Sequence, residues 1–319
     1  MGRARREGAT IAGVTTAPGA RTDFSIPLAR LLTGTRLDLP VCVVHGARPG
    51  PSLWLTAAIH GDEINGVEII RQVLGIVDPV RLAGTLIAVP IVNVFGFIEQ
   101  QRYLPDRRDL NRSFPGSVRG SLAARLAHVL MHEIVRRCEY GIDLHTGSRH
   151  RTNLPQVRGD LDDERTRQFA LAFGAPTVIH SRLRDGSLRE AATRVGVHVL
   201  LYEAGEALRF DQQATRTGVR GVLRALCFLR MWKKGRLRAM PEPFEASGSR
   251  WIRARRSGML HLEVALGAGV VPDQRIGFLT DALGGRLTVV RSPFEGLVIG
   301  HTTNPLAHRG DALVHIAME

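Results

Sequence analysis

Two short segments of this chain carry side chains able to hold a metal ion: His60-Gly61-Asp62-Glu63 and, much further along, Asp143-Leu144-His145. The H-x-x-E spacing sets an imidazole and a carboxylate one turn apart, so both can reach one ion. His145 would be the third ligand. Two imidazoles and one carboxylate suit zinc and leave a fourth tetrahedral position for water, as catalytic rather than structural zinc sites do. Water bound in such a site ionises near neutral pH, which points to hydrolysis. Each metal-bound imidazole also needs a partner on its far nitrogen to fix the tautomer, and either Asp109 or Asp143 offers one. Asp143 alternates with His145 on one strand face, so it is also placed to face a cavity. A rival pair, His128 and His132 beside Glu133, sits at helical spacing but lacks the H-E-x-x-H order and a third ligand nearby. It reads as the edge of a buried helix face. His150, His180 and His301 fit no ligand spacing, although His150 follows His145 closely enough to line the same cavity.

The elements that must position these residues follow from short apolar runs alternating with amphipathic stretches, the pattern of an α/β domain. Four runs predict buried strands: Leu53 to Ile59, Thr85 to Pro90, Tyr140 to Leu144 and Val197 to Tyr202. Three of them end at His60, His145 and Glu203. Helical spacing from Gly66 to Leu74 and from Ser121 to Arg137 places helices between strands. Ligands of open α/β sheets bind at the carboxyl ends of strands, where loops converge. After about residue 240 the Pro241-Glu242-Pro243 stretch reads as a linker. Short β-runs punctuated by Gly, Pro and Asp then predict an all-β module, which resembles the small barrel of biotinyl and lipoyl domains. No Lys follows Lys234, so the module has no attachment point for a carrier's prosthetic group.

Composition excludes several classes. The chain has 319 residues, 44% hydrophobic, with a formal charge of +13. The longest apolar stretch, Leu86 to Ile98, is broken by Pro90, Asn93 and Gly96 and is shorter than a bilayer span, so no membrane helix is expected. The basic start, Met1 to Arg6, runs into Gly8-Ala9-Thr10 rather than an apolar signal region, making the cytoplasm the expected address. Cys42, Cys138 and Cys227 are odd in number and far apart, which suggests neither disulfides nor a thiolate metal site. The positive charge is almost all Arg, spread without an aromatic-interleaved stripe, so no nucleic-acid partner is expected. No G-x-S-x-G elbow, P-loop or G-x-G-x-x-G occurs. A homo-oligomer is left open by the sequence.

The motifs in order, His60-Gly61-Asp62-Glu63, then Arg102 followed by Asp109-Leu110-Asn111-Arg112, then Asp143-Leu144-His145, then Glu203-Ala204-Gly205, resemble those of the succinylglutamate desuccinylase and aspartoacylase family, relatives of zinc carboxypeptidases. The segment between Arg102 and Asp109 is longer than in aspartoacylase. The resemblance implies one zinc ion per chain held by His60, Glu63 and His145, with Asp109 orienting His60. It implies that Asn111 and Arg112 bind the substrate carboxylate, a role the planar fork of Arg suits. By the same resemblance Arg102 polarises the scissile carbonyl or binds the acyl side, and Glu203 moves the proton from water to the leaving nitrogen. Amide hydrolysis needs such a group because an amine leaves poorly unless protonated. Glu206 is the fallback. Arg107 and Arg108 read as solvated loop.

The fold implied is a zinc-carboxypeptidase-like α/β/α domain with a mixed central sheet over residues 1–240, followed by a smaller C-terminal all-β, barrel-like domain over 241–319. The expected activity is zinc-dependent cleavage of the amide bond of a small N-acyl amino acid, releasing a carboxylate and an amine. The alternatives are a metallocarboxypeptidase acting on peptides and a non-catalytic metal- or anion-binding module. Contacts in a loop such as Arg149 to Arg158 are expected to choose the acyl group.

Overall fold

The computed structural model describes residues 6–30, 34, 36–233 and 241–319. The expected boundary at 240, Lys234 and the first five residues of the basic start lie outside the described residues.

A large mixed sheet organises the chain. Its centre is parallel: Ala83–Val89, Arg48–Ala57, Tyr140–Gly147 and His198–Glu206 lie side by side in that order. Antiparallel strands flank them, Arg36–His45 and Ala20–Arg30 on one side and Arg151–Gly159 on the other. The central strands carry apolar runs because helices cover both faces. Their side chains alternate between two cores. Leu53, Leu55, Leu86 and Ala88 face the helices Asn65–Ile76, Glu164–Phe173 and Gln212–Phe228 through Ile69, Phe169 and Val222. Trp54, Ile87 and Val89 face Leu122–Glu133 and Leu188–Arg194 through Leu126, Leu130 and Leu188. This two-residue alternation is what a doubly covered sheet requires. All four strands expected from sequence are present, with ends displaced by a few residues, and the second expected helix stops at Glu133 before a short 3-10 turn, Val135–Arg137. Among the described residues no helix is long and apolar enough to cross a membrane.

The C-terminal region is antiparallel and all β. Gly258–Leu262, Arg275–Thr280, Arg286–Arg291 and Leu306–Ala307 form a four-stranded sheet. Its core, which includes Leu260, Ile276, Leu279, Val298, Leu313 and Ile316, is closed from the other side by Gly296–Thr302 and Ala312–Met318. Those two strands also extend the large sheet, because Gly296–Thr302 pairs with Arg151–Gly159. The C-terminal region is thereby fixed beside the carboxyl ends of the central strands.

Candidate metal centre and its cavity

The strand Arg48–Ala57 ends three residues before His60, and a turn closed by the Glu63 amide on the His60 carbonyl at 3.1 Å brings Glu63 back beneath the imidazole. Gly61 is required there: a Cβ on it would lie 1.9 Å from the Gly96 carbonyl carbon, so only hydrogen lets the two backbones pass. His145 stands on the neighbouring strand Tyr140–Gly147, which runs two residues beyond it.

Glu63 lies between the two imidazoles. Its Oε1 is 2.8 Å from His60 Nδ1 and its Oε2 is 2.8 Å from His145 Nδ1, with the ring centroids 5.2 Å apart. All three side chains are at least 95% buried. The far nitrogens are also taken: His60 Nε2 is 3.2 Å from Asp109 Oδ1, and His145 Nε2 is 2.7 Å from Asp143 Oδ2. Asp143 is 1% exposed and accepts the Thr56 hydroxyl at 2.7 Å. It therefore buttresses His145 from behind and does not line the cavity, against the alternative left open by its strand parity. Asp109 accepts the Asn111 amide at 2.9 Å and Arg102 Nη2 at 2.9 Å, while Arg102 Nη1 reaches Glu63 at 3.3 Å.

In the metal-free protein every imidazole nitrogen of His60 and His145 faces a carboxylate oxygen, an arrangement that favours protonated rings. Burial pulls the His145 pKa down, but Asp143 and Glu63 outweigh it and hold the group well above its ordinary value. His60 is raised in the same way, burial being offset by Glu63 and Asp109. Burial would raise Glu63, yet the two imidazoles hold it well below the usual carboxylate range.

The donor set fits a divalent ion. One nitrogen from each imidazole and a Glu63 oxygen lie within 4.8 Å of one another, and an ion of charge +2 replacing the two Nδ1 protons leaves the buried charge unchanged. A pH dependence follows. Both imidazole pKa values are raised, so protons compete with the ion at neutral and acid pH, and affinity should climb as pH rises toward the raised values. Close to two protons should be released per ion bound, measurable by calorimetry in buffers of different ionisation enthalpy. Release of none at neutral pH would contradict the doubly protonated reading.

The three residues open onto a cavity of about 480 Å³. Arg102, Asp109, Asn111, Arg112 and Glu203 line it as well. Glu203 lies opposite His145 in the parallel pairing, and its Oε2 accepts Asn153 Nδ2 at 2.6 Å. The fallback, Glu206, accepts the Thr303 hydroxyl instead and does not line the cavity. Asn111 Oδ1 accepts the Leu188 amide at 2.9 Å, and Arg112 Nη1 donates to the Asn111 carbonyl without meeting a carboxylate among the described residues. Arg107 and Arg108 are exposed, as expected of solvated loop. His150 does not line the cavity; its carbonyl receives the Thr303 amide at 2.6 Å. His128 and His132 stack with ring centroids 5.7 Å apart, and no third ligand joins them among the described residues.

Sequence reasoning missed several lining residues. Arg149 to Arg158, expected as a loop, is mostly the strand Arg151–Gly159, which presents Arg151, Asn153 and Arg158 to the cavity. From the C-terminal region come Trp251 and His315, stacked at 4.4 Å, with the Arg151 guanidinium over the Trp251 ring at 5.1 Å. Burial, with Arg158 and Arg151 nearby, pushes His315 down to about 3 and keeps it neutral. Eight of the lining residues are arginines, so cations that look scattered along the chain converge here.

The catalytic-domain model of the succinylglutamate desuccinylase/aspartoacylase family matches residues 49–229. Over 293 residues the chain is 28% identical to the N-alpha-acetyl-L-2,4-diaminobutyric acid deacetylase of Halomonas elongata, an overlap of 88% of this chain and 85% of that protein. A succinylglutamate desuccinylase/aspartoacylase structure from Rhodobacter sphaeroides superposes with a TM-score of 0.84 at 25% identity, covering 98% of this chain and 96% of that one. The product-bound ectoine utilization protein EutE (DoeB) of Ruegeria pomeroyi gives 0.84 at 21% identity over 94% and 95% of the two chains.

Proposed function

Because the chain belongs to the succinylglutamate desuccinylase/aspartoacylase family, we propose that it is a zinc-dependent deacylase of small N-acyl amino acids, cleaving the amide to a carboxylate and an amine. The observation that carries this reading is Glu63, buried and shared at 2.8 Å between His60 and His145 at the wall of a cavity that Glu203 also lines. Zinc held by His60, Glu63 and His145 would supply an acidified water and a Lewis acid for the scissile carbonyl.

The remaining chemistry belongs to the protein. Glu203, held through Oε2 by Asn153, takes a proton from the attacking water through its other oxygen. The water oxygen bonds to the carbonyl carbon, and the C–N bond breaks as Glu203 returns that proton to the nitrogen. Arg102 stands beside Glu63 and Asp109, where its guanidinium can stabilise charge growing on the carbonyl oxygen. Arg112, with no carboxylate partner among the described residues, and Asn111, whose amide nitrogen is left by the Oδ1 contact to Leu188, anchor the substrate carboxylate. Asp109 and Asp143 hold the Nε2 side of each imidazole, which would leave the Nδ1 atoms of His60 and His145 to serve with Glu63 as metal ligands. Trp251 and His315 reach into the cavity from the C-terminal region, which favours small amides over peptide chains.

The test is amine release from a panel of N-acyl amino acids before and after chelation, with zinc added back. Turnover lost to chelator and restored by zinc supports the proposal. Metal uptake without turnover on any amide would favour a binding module instead.

A further inference from the structure

The C-terminal region leaves a seam in its own β structure. Among the described residues, Gly248–Arg253 is hydrogen-bonded on one side, to Ala312–Met318, and Arg286–Arg291 on one side, to Arg275–Thr280, so each is the outer edge of a different sheet. The two edges are neighbours, since the Arg250 guanidinium lies over the Phe294 ring at 5.8 Å. A groove of about 390 Å³ opens between them, and of its lining only Trp251 also lines the metal cavity. Exposed strand edges are commonly guarded by charge alone. Here the charge stands over a hollow large enough for a small molecule.

The groove combines apolar surface with unpaired cations. Ile252 and Val290 belong to the core of the C-terminal region, and Val289 and Pro293 extend the apolar lining. Arg253 and Arg255 come from one edge and Arg291 from the other, all three exposed. None makes an ion pair among the described residues: Arg253 Nη1 donates to the Gly310 carbonyl at 2.8 Å, and Arg291 Nη1 to the Asp273 carbonyl at 2.6 Å. Asp273 is the one carboxylate in the lining, and its side chain stays beyond ion-pair distance of the three arginines. Three cations beside apolar surface, with one carboxylate against them, suit a molecule anionic at one end and apolar at the other. Trp251 joins the groove to the catalytic side, where His315 stacks on it at 4.4 Å and the Arg151 guanidinium covers it at 5.1 Å.

We propose that this groove is a separate ligand site that takes one small organic anion, with its carboxylate among Arg253, Arg255 and Arg291 and its apolar body over Ile252, Val289 and Val290. The site stands independently of the deacylase reading, because none of these residues lines the metal cavity. Binding there changes the surroundings of the Trp251 indole, which makes it a reporter of occupancy.

The experiment uses the zinc-loaded full chain and three probes: octanoate, its neutral analogue octanamide, and inorganic phosphate. Calorimetric titration should show an octanoate site, with octanamide and phosphate each weaker by about 10-fold or more, because one lacks the charge and the other the apolar body. Arg291→Gln and Arg255→Gln, at exposed positions, should each weaken octanoate by about 3- to 10-fold, between the worth of a surface ion pair and that of a hydrogen bond to a charged group. Zinc content and melting temperature should stay parental in both. Arg112→Gln, which alters the metal cavity alone, should leave octanoate affinity unchanged. Octanoate should also change the tryptophan emission of the parent protein and not that of Trp251→Phe. Absence of octanoate binding, or octanamide or phosphate binding as tightly as octanoate, overturns the site. So does an affinity that falls in Arg112→Gln and in neither groove variant, since the anion would then lie in the metal cavity.

Discussion

Glu203→Gln should bind zinc as the parent protein does and release amine about 10²- to 10⁴-fold more slowly, the usual contribution of a positioned acid–base group. Glutamine keeps the size of the side chain and an oxygen to accept Asn153 Nδ2, which sits 2.6 Å from Glu203. What it loses is the capacity to carry a proton. Glu203 is not part of the donor cluster of His60, Glu63 and His145, so metal content should not change. Because the same group would both accept from water and deliver to nitrogen, kcat should fall with KM nearly constant. Zinc stoichiometry by atomic absorption and a kcat/KM split on the best N-acyl substrate check this. Full turnover in the variant would move the proton transfer elsewhere. Glu206 is poorly placed to take it over, since it is bound to Thr303 outside the cavity.

How much of this was legible follows from the range of the interactions. The four central strands carry apolar runs that stand out, and His60 and Glu63 follow one strand while His145 stands near the end of its neighbour, so the order in the sheet brings them together. Local spacing fixed His60 to Glu63. Asp143 was ambiguous because two-residue alternation puts it on the His145 face, while the closing contact with Thr56 comes from the adjacent strand. The arginine wall was not legible. Along Arg151–Gly159 the cavity-facing positions change parity, with Arg151 and Asn153 on one register and Arg158 on the other. The pairing with His198–Glu206 shifts between Glu203 and Gly205, where Gly205 takes φ 72°. A strict period of two cannot predict that. Trp251 and His315 reach the cavity only because the Gly296–Thr302 strand joins the large sheet, a long-range pairing with no local signature. The sequence therefore reveals the candidate metal ligands, but the arginine-rich wall of the cavity is assembled from distant segments.

His145→Ala should abolish zinc binding in the micromolar range and turnover with it, and it should also weaken the metal-free fold. Losing an outer hydrogen-bond partner of a ligand typically costs 10- to 100-fold in affinity, and losing the ligand itself should cost more than about 100-fold. The effect on the fold has a different cause. Without the imidazole, Glu63 Oε2 keeps only the Thr146 amide at 3.2 Å, and Asp143 Oδ2 loses its contact, at sites 2% and 1% exposed. Removing one member of a buried charge pair costs about 3–5 kcal/mol because the partner remains desolvated. The sign with pH can be worked out for Glu63. Its pKa is held down in the folded state, so the stability it contributes is present above the unfolded carboxylate range and fades as pH falls through its lowered value. In the variant that depression is reduced and Glu63 is more readily neutralised, which narrows the gap between variant and parent once pH falls into the carboxylate range. His145, raised in the folded parent, widens the gap as pH falls from alkaline values through its raised pKa, so the gap should be largest between the two ranges and smaller on either side. Thermal melts of both proteins in chelator, from alkaline to acid pH, measure this. A gap that stays constant with pH would mean the loss is one of packing and not of buried charge. A variant that still bound zinc with parental affinity would remove His145 from the ligand set.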